Sequence, residues 1–387
     1  MTDSSNKGIL ILVAGIRGAI GSTLAAAVCA GKENPDLILP YLMTGQKFSW
    51  LGKPMDFEIA GWDVSEISMT EALALQGVLE KGIWRPYAEA IDQLPVKAAP
   101  EPDAPLKAQV EQIKADITAF MDDHPGYAPV LVNLLPAGSC HDLDRFSTPT
   151  ELYKAVSAPP IADIPYVLAA VEAGIPVVNF TPNAIEIPAV INAARETGVP
   201  IAGRDGKTGQ TYFKVVLAAA FRARALFVNG WYSLNILGNA DGENLMDPEH
   251  AACKLENKTD VLADVLGYSP GERRYGQSAH KVHIDYYPPR GDAKEAWDVI
   301  DFESIFGLPM SLRLDLQGRD SILAAPMVLD LSRWAAAAKT AGLAGLIPEL
   351  AFYFKKTFGD APVSFEGQLA ALEKFENGLN SRVIKEA

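Results

Sequence analysis

The sequence has few of the features that mark several large classes of protein. Its 387 residues include only three cysteines, Cys29, Cys140 and Cys253, and none lies in a CxxC pair. This spacing supports neither a disulfide framework nor a zinc site. The first apolar run, residues 9–14, is too short to span a bilayer, and no positively charged leader precedes it. We therefore expect a cytoplasmic protein with no membrane partner.

Positive charge is also in short supply. The chain has 34 Lys and Arg residues against 48 Asp and Glu, which gives a formal net charge of −14. Binding to nucleic acid needs a basic surface, so we expect no nucleic acid partner, and any bound phosphate must meet a local cluster of lysines. The five histidines form no metal-binding motif. Metal dependence stays open, because Asp and Lys beside a phosphate serve ion pairs and hydrated cations equally well.

The start of the chain reads as strand, glycine turn and helix. Residues 9–14 are an apolar run of strand length. Gly15, Gly18 and Gly21 punctuate the turn that follows, ahead of an alanine-rich helix. Glycines allow the backbone to approach a pyrophosphate, and the helix N-terminus supplies free N–H groups. Asp63 ends a second predicted strand, at a position suited to a ribose hydroxyl. The pattern indicates a dinucleotide site without fixing which dinucleotide binds.

Strands and helices then alternate as far as residue 202. The pattern predicts helices over 106–121, 164–173 and 182–197, and strands over 129–135, 177–180 and 199–202. Such alternation implies a doubly wound parallel sheet, which binds ligands beyond the carboxyl ends of its strands. The polar turns PAGS and GRDGKTGQT each follow one of these ends. The second combines charge, hydroxyl, amide and flexible backbone, as a phosphate cradle does.

The pattern changes after residue 211. A helix over 215–226 precedes predicted strands over 227–236, 281–287 and 310–316. The last of these alternates strictly between apolar and polar residues, which predicts a sheet with one buried face. Another subunit could cover the other face.

Three charged residues lie at predicted element boundaries in the same region. Asp292 and Lys294 are expected at a helix entrance, and Asp320 at the start of an apolar helix. Both aspartates also fit a simple role as helix N-caps. The segment 346–387 reads as two amphipathic helices separated by GDAP.

The stretch 235–258 combines a polar turn with a pair of lysines. Its first half, NILGNADGENL, favours tight turns and close approach of the backbone to a ligand over regular structure. In its second half, Lys254 and Lys258 would lie one helical turn apart. Two like charges at this spacing repel unless an anion or a carboxylate lies between them. The alternative interpretation is a solvated helix face.

Seven segments occur in the order found in one enzyme family. They are GIRGAIGST, AGWDVSEISMTEAL, GRDGKTGQT, NILGNADGENL, CKLENK, PPRGDAKEAWD and GRDSILAAPMVLDL. Through them the sequence resembles the inositol-3-phosphate synthase (1L-myo-inositol-1-phosphate synthase) family. The resemblance implies an α/β fold: a Rossmann-type doubly wound NAD-binding domain interrupted by a catalytic and oligomerisation domain with a largely open sheet, commonly assembled as a homotetramer. We expect domains at 1–210 and 211–330, with C-terminal helices at 331–387 returning to the first.

The resemblance also implies a reaction. D-glucose 6-phosphate is oxidised at C5 by NAD, enolised, closed by an intramolecular aldol step and reduced by the same NADH, giving 1L-myo-inositol 1-phosphate. Ammonium groups in a dry pocket can stabilise the negative charge that develops on the carbonyl oxygen of the 5-keto intermediate. By the resemblance, Lys254 assists hydride transfer and Lys258 binds phosphate. Lys294 lies near the enolate or the phosphate.

The same resemblance assigns the remaining site residues. Asp205 and Asp320 orient lysines and the nicotinamide region, and Asp292 joins the catalytic set. The phosphate loop consists of Lys207, Thr208, Gly209 and Gln210. The expected cofactor contacts are Gly15, Ile16, Arg17, Gly18, Ala19, Ile20, Gly21, Asp63, Ala137, Asn239 and Asp241.

Two departures from the family pattern leave alternatives open. The family's GGNNG loop is GAIG here, and Arg17 just before it could meet a pyrophosphate or the 2′-phosphate of NADP. No lysine follows the APV segment, and Lys355 of FYFKK could supply that charge. A divalent or monovalent cation is compatible with the site. The alternatives to this cyclase are a relative that makes another cyclitol from a different sugar phosphate, and a non-catalytic NAD-binding sensor.

Overall fold

Two sheets form the framework of the protein. The structure is a computed structural model that describes residues 7–139, 141–247 and 261–386. In chain order its strands are β1 (Gly8–Ala14), β2 (Phe57–Asp63), β3 (Val96–Ala98), β4 (Tyr127–Asn133), β5 (Val177–Asn179), β6 (Pro200–Gly203), β7 (Phe227–Leu237), β8 (His280–Tyr286), β9 (Ala293–Glu303), β10 (Pro309–Arg319) and β11 (Gly345–Leu346). The first sheet has the order β11-β6-β5-β4-β1-β2-β3, and all its neighbouring strands are parallel.

Helices cover both faces of the first sheet. The longer ones are Ala19–Glu33, Leu106–Asp123, Asp163–Glu172, Pro188–Glu196, Gln210–Ala223, Asp320–Thr340 and Phe365–Glu386, and shorter ones are Met69–Gln76, Lys81–Trp84, Ala88–Asp92, Pro149–Ala155, Ala240–Asn244 and Glu272–Tyr275. Ile9, Ile11 and Val13 of β1 face one apolar core, and the residues between them face the other. The predicted doubly wound parallel sheet is therefore confirmed. Among the described helices, none has both the length and the apolar character needed to span a bilayer.

The second sheet has four strands in the order β10-β9-β7-β8. β7 and β8 are parallel, whereas β9 runs antiparallel to both β7 and β10. One face packs on the helix Gln210–Ala223 through a core that includes Trp231 and Ile300. The opposite face is open, and Tyr232 on it is 37% exposed. This is the largely open sheet that the family resemblance predicts.

The order of the strands bears on the predicted division of the chain. β11 follows the whole second sheet in sequence, yet it lies beside β6 in the first sheet. The segment after residue 331 thus contributes a strand to the first sheet. The boundaries at 1–210, 211–330 and 331–387 stay predictions.

The strand β9 corrects one prediction. Asp292 and Lys294 do not stand at a helix entrance, because Ala293–Glu303 is a strand. Ala296, Asp298 and Ile300 alternate inward with period two, and the run is rich in the β-branched and aromatic residues that strands favour. The apolar helix predicted after Asp320 is present as Asp320–Thr340.

Three other elements differ in extent or type. The predicted helix at 182–197 begins only at Pro188, since proline disfavours helical backbone in the residue before it. The first of the two predicted C-terminal helices is a short 3-10 segment, Pro348–Tyr353, and the residues just after it instead bond to the loop at 204–207. The segment NILGNADGENL, predicted to be a polar turn, begins inside a strand, because Asn235 belongs to β7.

Candidate active site

The glycine turn lies at the carboxyl end of β1. Gly15 has φ +85, a conformation that favours glycine. A Cβ on Gly21 would lie 2.5 Å from the carbonyl oxygen of Ile16, so no larger residue fits without moving the turn. The helix Ala19–Glu33 begins at once after Gly18. The turn therefore places backbone and a helix N-terminus where the sequence predicts a dinucleotide.

Asp63 meets this turn from the end of β2. Its Oδ2 accepts a hydrogen bond of 2.8 Å from the backbone N–H of Arg17, and its Oδ1 accepts one of 3.0 Å from Ser65 N–H. The guanidinium of Arg17 donates Nη1 to the Ser65 carbonyl at 2.7 Å. Asp63 and Arg17 thus lie together, with the arginine directed along the Asp63–Ser65 segment.

A buried polar network that the sequence did not predict supports the next turn. Asp163, 2% exposed, accepts hydrogen bonds from the amides of Asn133 (2.6 Å) and Asn183 (3.0 Å) and from the Thr181 hydroxyl (3.3 Å). Burial raises the pKa of Asp163, against the hydrogen bonds that lower it. Asn133 and Asn179 end neighbouring strands and lie opposite each other. An asparagine at the end of each predicted strand is the sequence signal that could have indicated the cluster.

This network fixes the PAGS turn after β4. Asn183 donates to the Pro136 carbonyl at 2.9 Å and accepts from Gly138 N–H at 2.9 Å. Asn244 donates to the carbonyl of Ala137 at 3.1 Å, which joins the turn to the short helix after β7. Ala137, a predicted cofactor contact, is therefore held at the carboxyl edge of the first sheet.

The loop after β6 contains a buried ion pair. Lys355 Nζ lies 2.7 Å from Asp205 Oδ1, and both side chains are almost fully buried. Asp205 has φ +62, and its carbonyl accepts Lys355 N–H at 2.7 Å. The other carboxylate oxygen, Oδ2, is buried with no hydrogen bond. The structure thus brings together two residues that are 150 positions apart in the sequence.

Asp320 joins two further predicted residues. Its Oδ2 lies 3.0 Å from Lys294 Nζ, and its Oδ1 accepts a hydrogen bond of 3.1 Å from the Thr208 hydroxyl. A Cβ on Gly209 would lie 3.2 Å from the same Oδ1. Burial acts to raise the pKa of Asp320, but the charge and hydrogen bond of Lys294 outweigh it and hold the pKa below its usual range. Lys294 consequently has an ionised partner.

Asp292 lies beside this ion pair. It is 6% exposed, and its Oδ1 accepts from Asn239 Nδ2 at 3.1 Å and from the Ser321 hydroxyl at 3.0 Å. Its Oδ2 is buried without a partner. Burial raises its pKa, and the hydrogen bonds act in the opposite direction. Ser321, which directly follows Asp320, is a site residue that the sequence interpretation missed.

Lys207 and Gln210 are both buried but point to different partners. Lys207 Nζ donates to the side-chain oxygen of Gln368 at 2.8 Å, and burial lowers its pKa to about 7. Gln210 Nε2 donates to Asp298 Oδ2 at 3.1 Å. Asp298 and Gln368 were not predicted, because neither lies near a recognisable motif.

A cavity of about 630 Å³ adjoins these residues. Lys207 and Thr208 line it together with Arg319 from the end of β10 and several apolar side chains, among them Phe352 and Leu323. Within the described part of the chain, no group of three or more His, Cys, Asp or Glu side chains could hold a metal ion. Lys254 and Lys258 lie outside the described residues, and Asp241 is described only by its backbone in the helix Ala240–Asn244.

Comparison with known proteins agrees with this geometry. The profile of the family described as myo-inositol-1-phosphate synthase matches residues 209–321. This range begins at Gly209 and includes β9 and Asp320. An inositol-3-phosphate synthase 1 from Bacteroides thetaiotaomicron is 43% identical over 196 residues, or 50% of this chain and 46% of that protein. The chain is thus similar in sequence to inositol-3-phosphate synthases. The resemblance found in the seven segments is confirmed.

Other relatives cover more of the chain at lower identity. The inositol-3-phosphate synthase of Spirodela polyrhiza is 28% identical over 85% of this chain and 74% of its own length. The chain thus spans about half to three quarters of these two inositol-3-phosphate synthases.

Solved structures establish the same fold. That of inositol-3-phosphate synthase from Caenorhabditis elegans superposes with a TM-score of 0.82 at 21% identity, covering 97% of this chain and 86% of that one. A myo-inositol-1-phosphate synthase-related protein from Thermotoga maritima superposes with a TM-score of 0.74 at 21% identity, covering 96% and 98%.

Proposed function

We propose that this protein converts D-glucose 6-phosphate to 1L-myo-inositol 1-phosphate by oxidation at C5, enolisation, aldol closure and reduction. The observation that carries the proposal is the meeting of Lys294, Thr208 and Asp320 in one buried cluster. The chain also has a glycine turn of the dinucleotide-binding type after β1. A relationship to the inositol-3-phosphate synthases supports the choice of reaction.

NAD fits the residues at the carboxyl edge of the first sheet. When bound it would accept a hydride from C5 and return it. The turn from Gly15 to Gly21 offers backbone to a pyrophosphate, because a side chain at Gly21 would collide with the turn itself. Asp63 ends β2 beside the glycine turn, where a ribose hydroxyl would lie in a bound dinucleotide. Its carboxylate would repel the 2′-phosphate of NADP, so we infer NAD as the cofactor.

The lysine and carboxylate pairs supply the electrostatic part of the mechanism. Lys294, 11% exposed, is held beside ionised Asp320, which is 33% exposed, so its ammonium is fixed at the edge of a partly buried site. There it can stabilise an oxygen that gains negative charge on enolisation and aldol closure. Lys355 is fixed in the same way by Asp205 and supplies a second ammonium. We assign Lys254 and Lys258 to the hydride-transfer and phosphate roles that the family implies.

We propose Asp292 as the general acid–base residue of the site. Because burial raises its pKa and its Oδ2 has no partner, Asp292 holds a proton more readily than an exposed aspartate does. Asn239 and Ser321 fix its other oxygen, so that Oδ2 is directed away from them. Whether a divalent cation assists is part of the test below.

We further propose that the protein acts as a homotetramer in the cytoplasm. β10 is an edge strand of eleven residues, and apolar side chains at the β9–β10 turn are exposed, including Phe306 (90%) and Leu308 (65%). Long unprotected edges and apolar patches of this kind are covered in assemblies. Buried Cys29 is a free thiol, which suits a reducing compartment.

The test is incubation of the purified protein with glucose 6-phosphate and NAD, with and without a divalent cation, followed by phosphorus NMR. We expect inositol phosphate without accumulation of NADH. NADH together with a keto sugar would mean that ring closure fails. Turnover of another sugar phosphate alone, or bound NAD with no turnover, would favour the other cyclitol enzyme or the sensor instead.

A further inference from the structure

Lys207 is held differently from the other two described lysines of the site. Lys294 and Lys355 each have a carboxylate oxygen within 3.0 Å. Lys207 Nζ instead donates to two neutral oxygens, Oε1 of Gln368 at 2.8 Å and the carbonyl of Ala351 at 3.5 Å. The side chain is 4% exposed, and in the described residues no carboxylate forms an ion pair with it.

The amide of Gln368 is fixed in the orientation that faces this amine. Gln368 is 4% exposed and lies in the first turn of the helix Phe365–Glu386. Its Nε2 donates to the Pro362 carbonyl at 3.0 Å, so its Oε1 is the atom left to accept from Lys207. The ring of Phe352 lies 5.9 Å from the Lys207 ammonium position.

The charged groups around Lys207 are engaged elsewhere. Asp330, which lines the same cavity, accepts hydrogen bonds from the backbone and hydroxyl of Thr44. The other titratable neighbours on the cavity wall are Arg319, Tyr41, Tyr212 and Tyr353. The adjoining segments carry two ion pairs, Asp205 with Lys355 and Asp320 with Lys294. None of these side chains makes a hydrogen bond or ion pair with Lys207 in the described structure.

A buried ammonium without a counter-ion is costly, so the neutral amine is favoured. Burial accordingly lowers the pKa of Lys207 to about 7. The arrival of an anion reverses this balance, because an opposite charge at close range stabilises the protonated form. Lys294 and Lys355 cannot respond in this way, since each already has a carboxylate partner.

We propose that Gln368 is a positioning residue that orients the Lys207 amine at the cavity, where burial keeps it uncharged, and that Lys207 takes up one proton from solvent when a phosphate-bearing ligand binds there. The proposal rests on the proposed function only in taking a sugar phosphate as that ligand. No covalent bond is formed or broken, and the proton stays on Nζ until the phosphate leaves.

The test is isothermal titration of the protein with glucose 6-phosphate, without added NAD, at about pH 8.5 in two buffers with different ionisation enthalpies. At this pH the phosphate is a dianion, because its second pKa is about 6, so the ligand contributes few protons. We expect the wild type to take up close to one proton per ligand bound. Lys207→Arg, which is always charged, should bind with no uptake. Wild-type binding without proton uptake, or no binding, would overturn the proposal.

Variants of Gln368 test whether its side chain positions Lys207 or only supports the fold. Gln368→Glu places a carboxylate on Lys207, so uptake should vanish. Gln368→Met removes the acceptor, and phosphate affinity should fall about tenfold. The matched control is Gln109→Met, since Gln109 on the helix Leu106–Asp123 is 3% exposed and donates to the carbonyls of Pro102 and Ala104, outside the site. Equal effects of Gln368→Met and Gln109→Met on uptake and affinity would contradict a positioning role.

The outcome is independent of turnover. If the protein takes up a proton but makes no inositol phosphate, Lys207 still binds the phosphate as proposed, and only the proposed cyclase reaction is wrong. Inositol phosphate production by a wild type that takes up no proton would leave the cyclase standing and overturn the present proposal.

Discussion

Asp320 is the residue on which the site depends most. One oxygen pairs with Lys294 and the other accepts from Thr208, while Gly209 leaves room for it. Its place at the start of an apolar helix was predictable from the local pattern. Its partners were not, because they lie 26 and 112 positions away and only the folded sheets bring them together.

Replacing this carboxylate should therefore impair chemistry more than folding. In Asp320→Asn the side chain keeps its size, but the largely buried Lys294 loses its counter-ion. We expect the rate of inositol phosphate formation to fall about 100-fold or more, by analogy with the loss of other preorganised charges. The measurement is kcat by product assay, alongside NAD binding and thermal midpoint.

The control for this variant is Asp315→Asn. Asp315 lies on β10, close to Asp320 in sequence, but it is exposed and has no described ion pair. It should retain wild-type activity. If Asp320→Asn kept activity within twofold of Asp315→Asn, Asp320 would have no part in catalysis.

At the scale of elements, short-range patterns were predictable and long-range choices were not. The glycine turn and β1 follow from residues within a few positions of each other. The strand Ala293–Glu303 was mistaken for a helix entrance, since its alternation is decided by pairing with β7 and β10. Pro348–Tyr353 was mistaken for an amphipathic helix, because the backbone around Tyr353 bonds to the loop of Lys207 instead.

The glycine turn gives a prediction at this scale. In Gly21→Ala the new Cβ would lie 2.5 Å from the Ile16 carbonyl and 2.7 Å from that of Gly15, so the turn must shift. We expect NAD affinity to fall about tenfold or more, since backbone donors to a pyrophosphate depend on the turn. The change in Kd is measured by titration with NAD.

A helical glycine outside the turn serves as the matched control. Gly378 lies in Phe365–Glu386, and a Cβ there would meet nothing within 4 Å. Gly378→Ala should leave NAD affinity unchanged and slightly favour the helix. Equal NAD affinities in the Gly21 and Gly378 variants would argue that the turn does not hold the cofactor.

At the scale of the whole molecule, a single chain leaves apolar side chains of the second sheet exposed. Leu312, Leu314 and Leu316 share the sheet face of Ile300, as the strict alternation predicted, but Leu312 is still 36% exposed. The hairpin between β9 and β10 carries exposed Phe306 and Leu308 as well. The alternation in the sequence predicted which face of β10 points inward. It could not predict what covers the apolar side chains that stay exposed.

Assembly can be tested at this hairpin. The double change Phe306→Glu and Leu308→Glu puts two charges in the exposed apolar patch, so a tetramer that uses the patch should dissociate to smaller species. Ile83→Glu is the control, because Ile83 is also exposed (56%) but lies on the short helix Lys81–Trp84, between β2 and β3 in the chain. Light scattering after size exclusion measures the mass. A hairpin variant that stays tetrameric would exclude the patch from the interface.

The central claim is that one site oxidises and then reduces the same carbon. The most direct measurement supplies glucose 6-phosphate carrying deuterium at C5, with unlabelled NAD, and analyses the product by mass spectrometry and NMR. The account predicts inositol phosphate that keeps the deuterium, because the hydride removed from C5 is returned to it, with no accumulation of NADH. Inositol phosphate without the label, or labelled NADH released with a keto sugar, would contradict it.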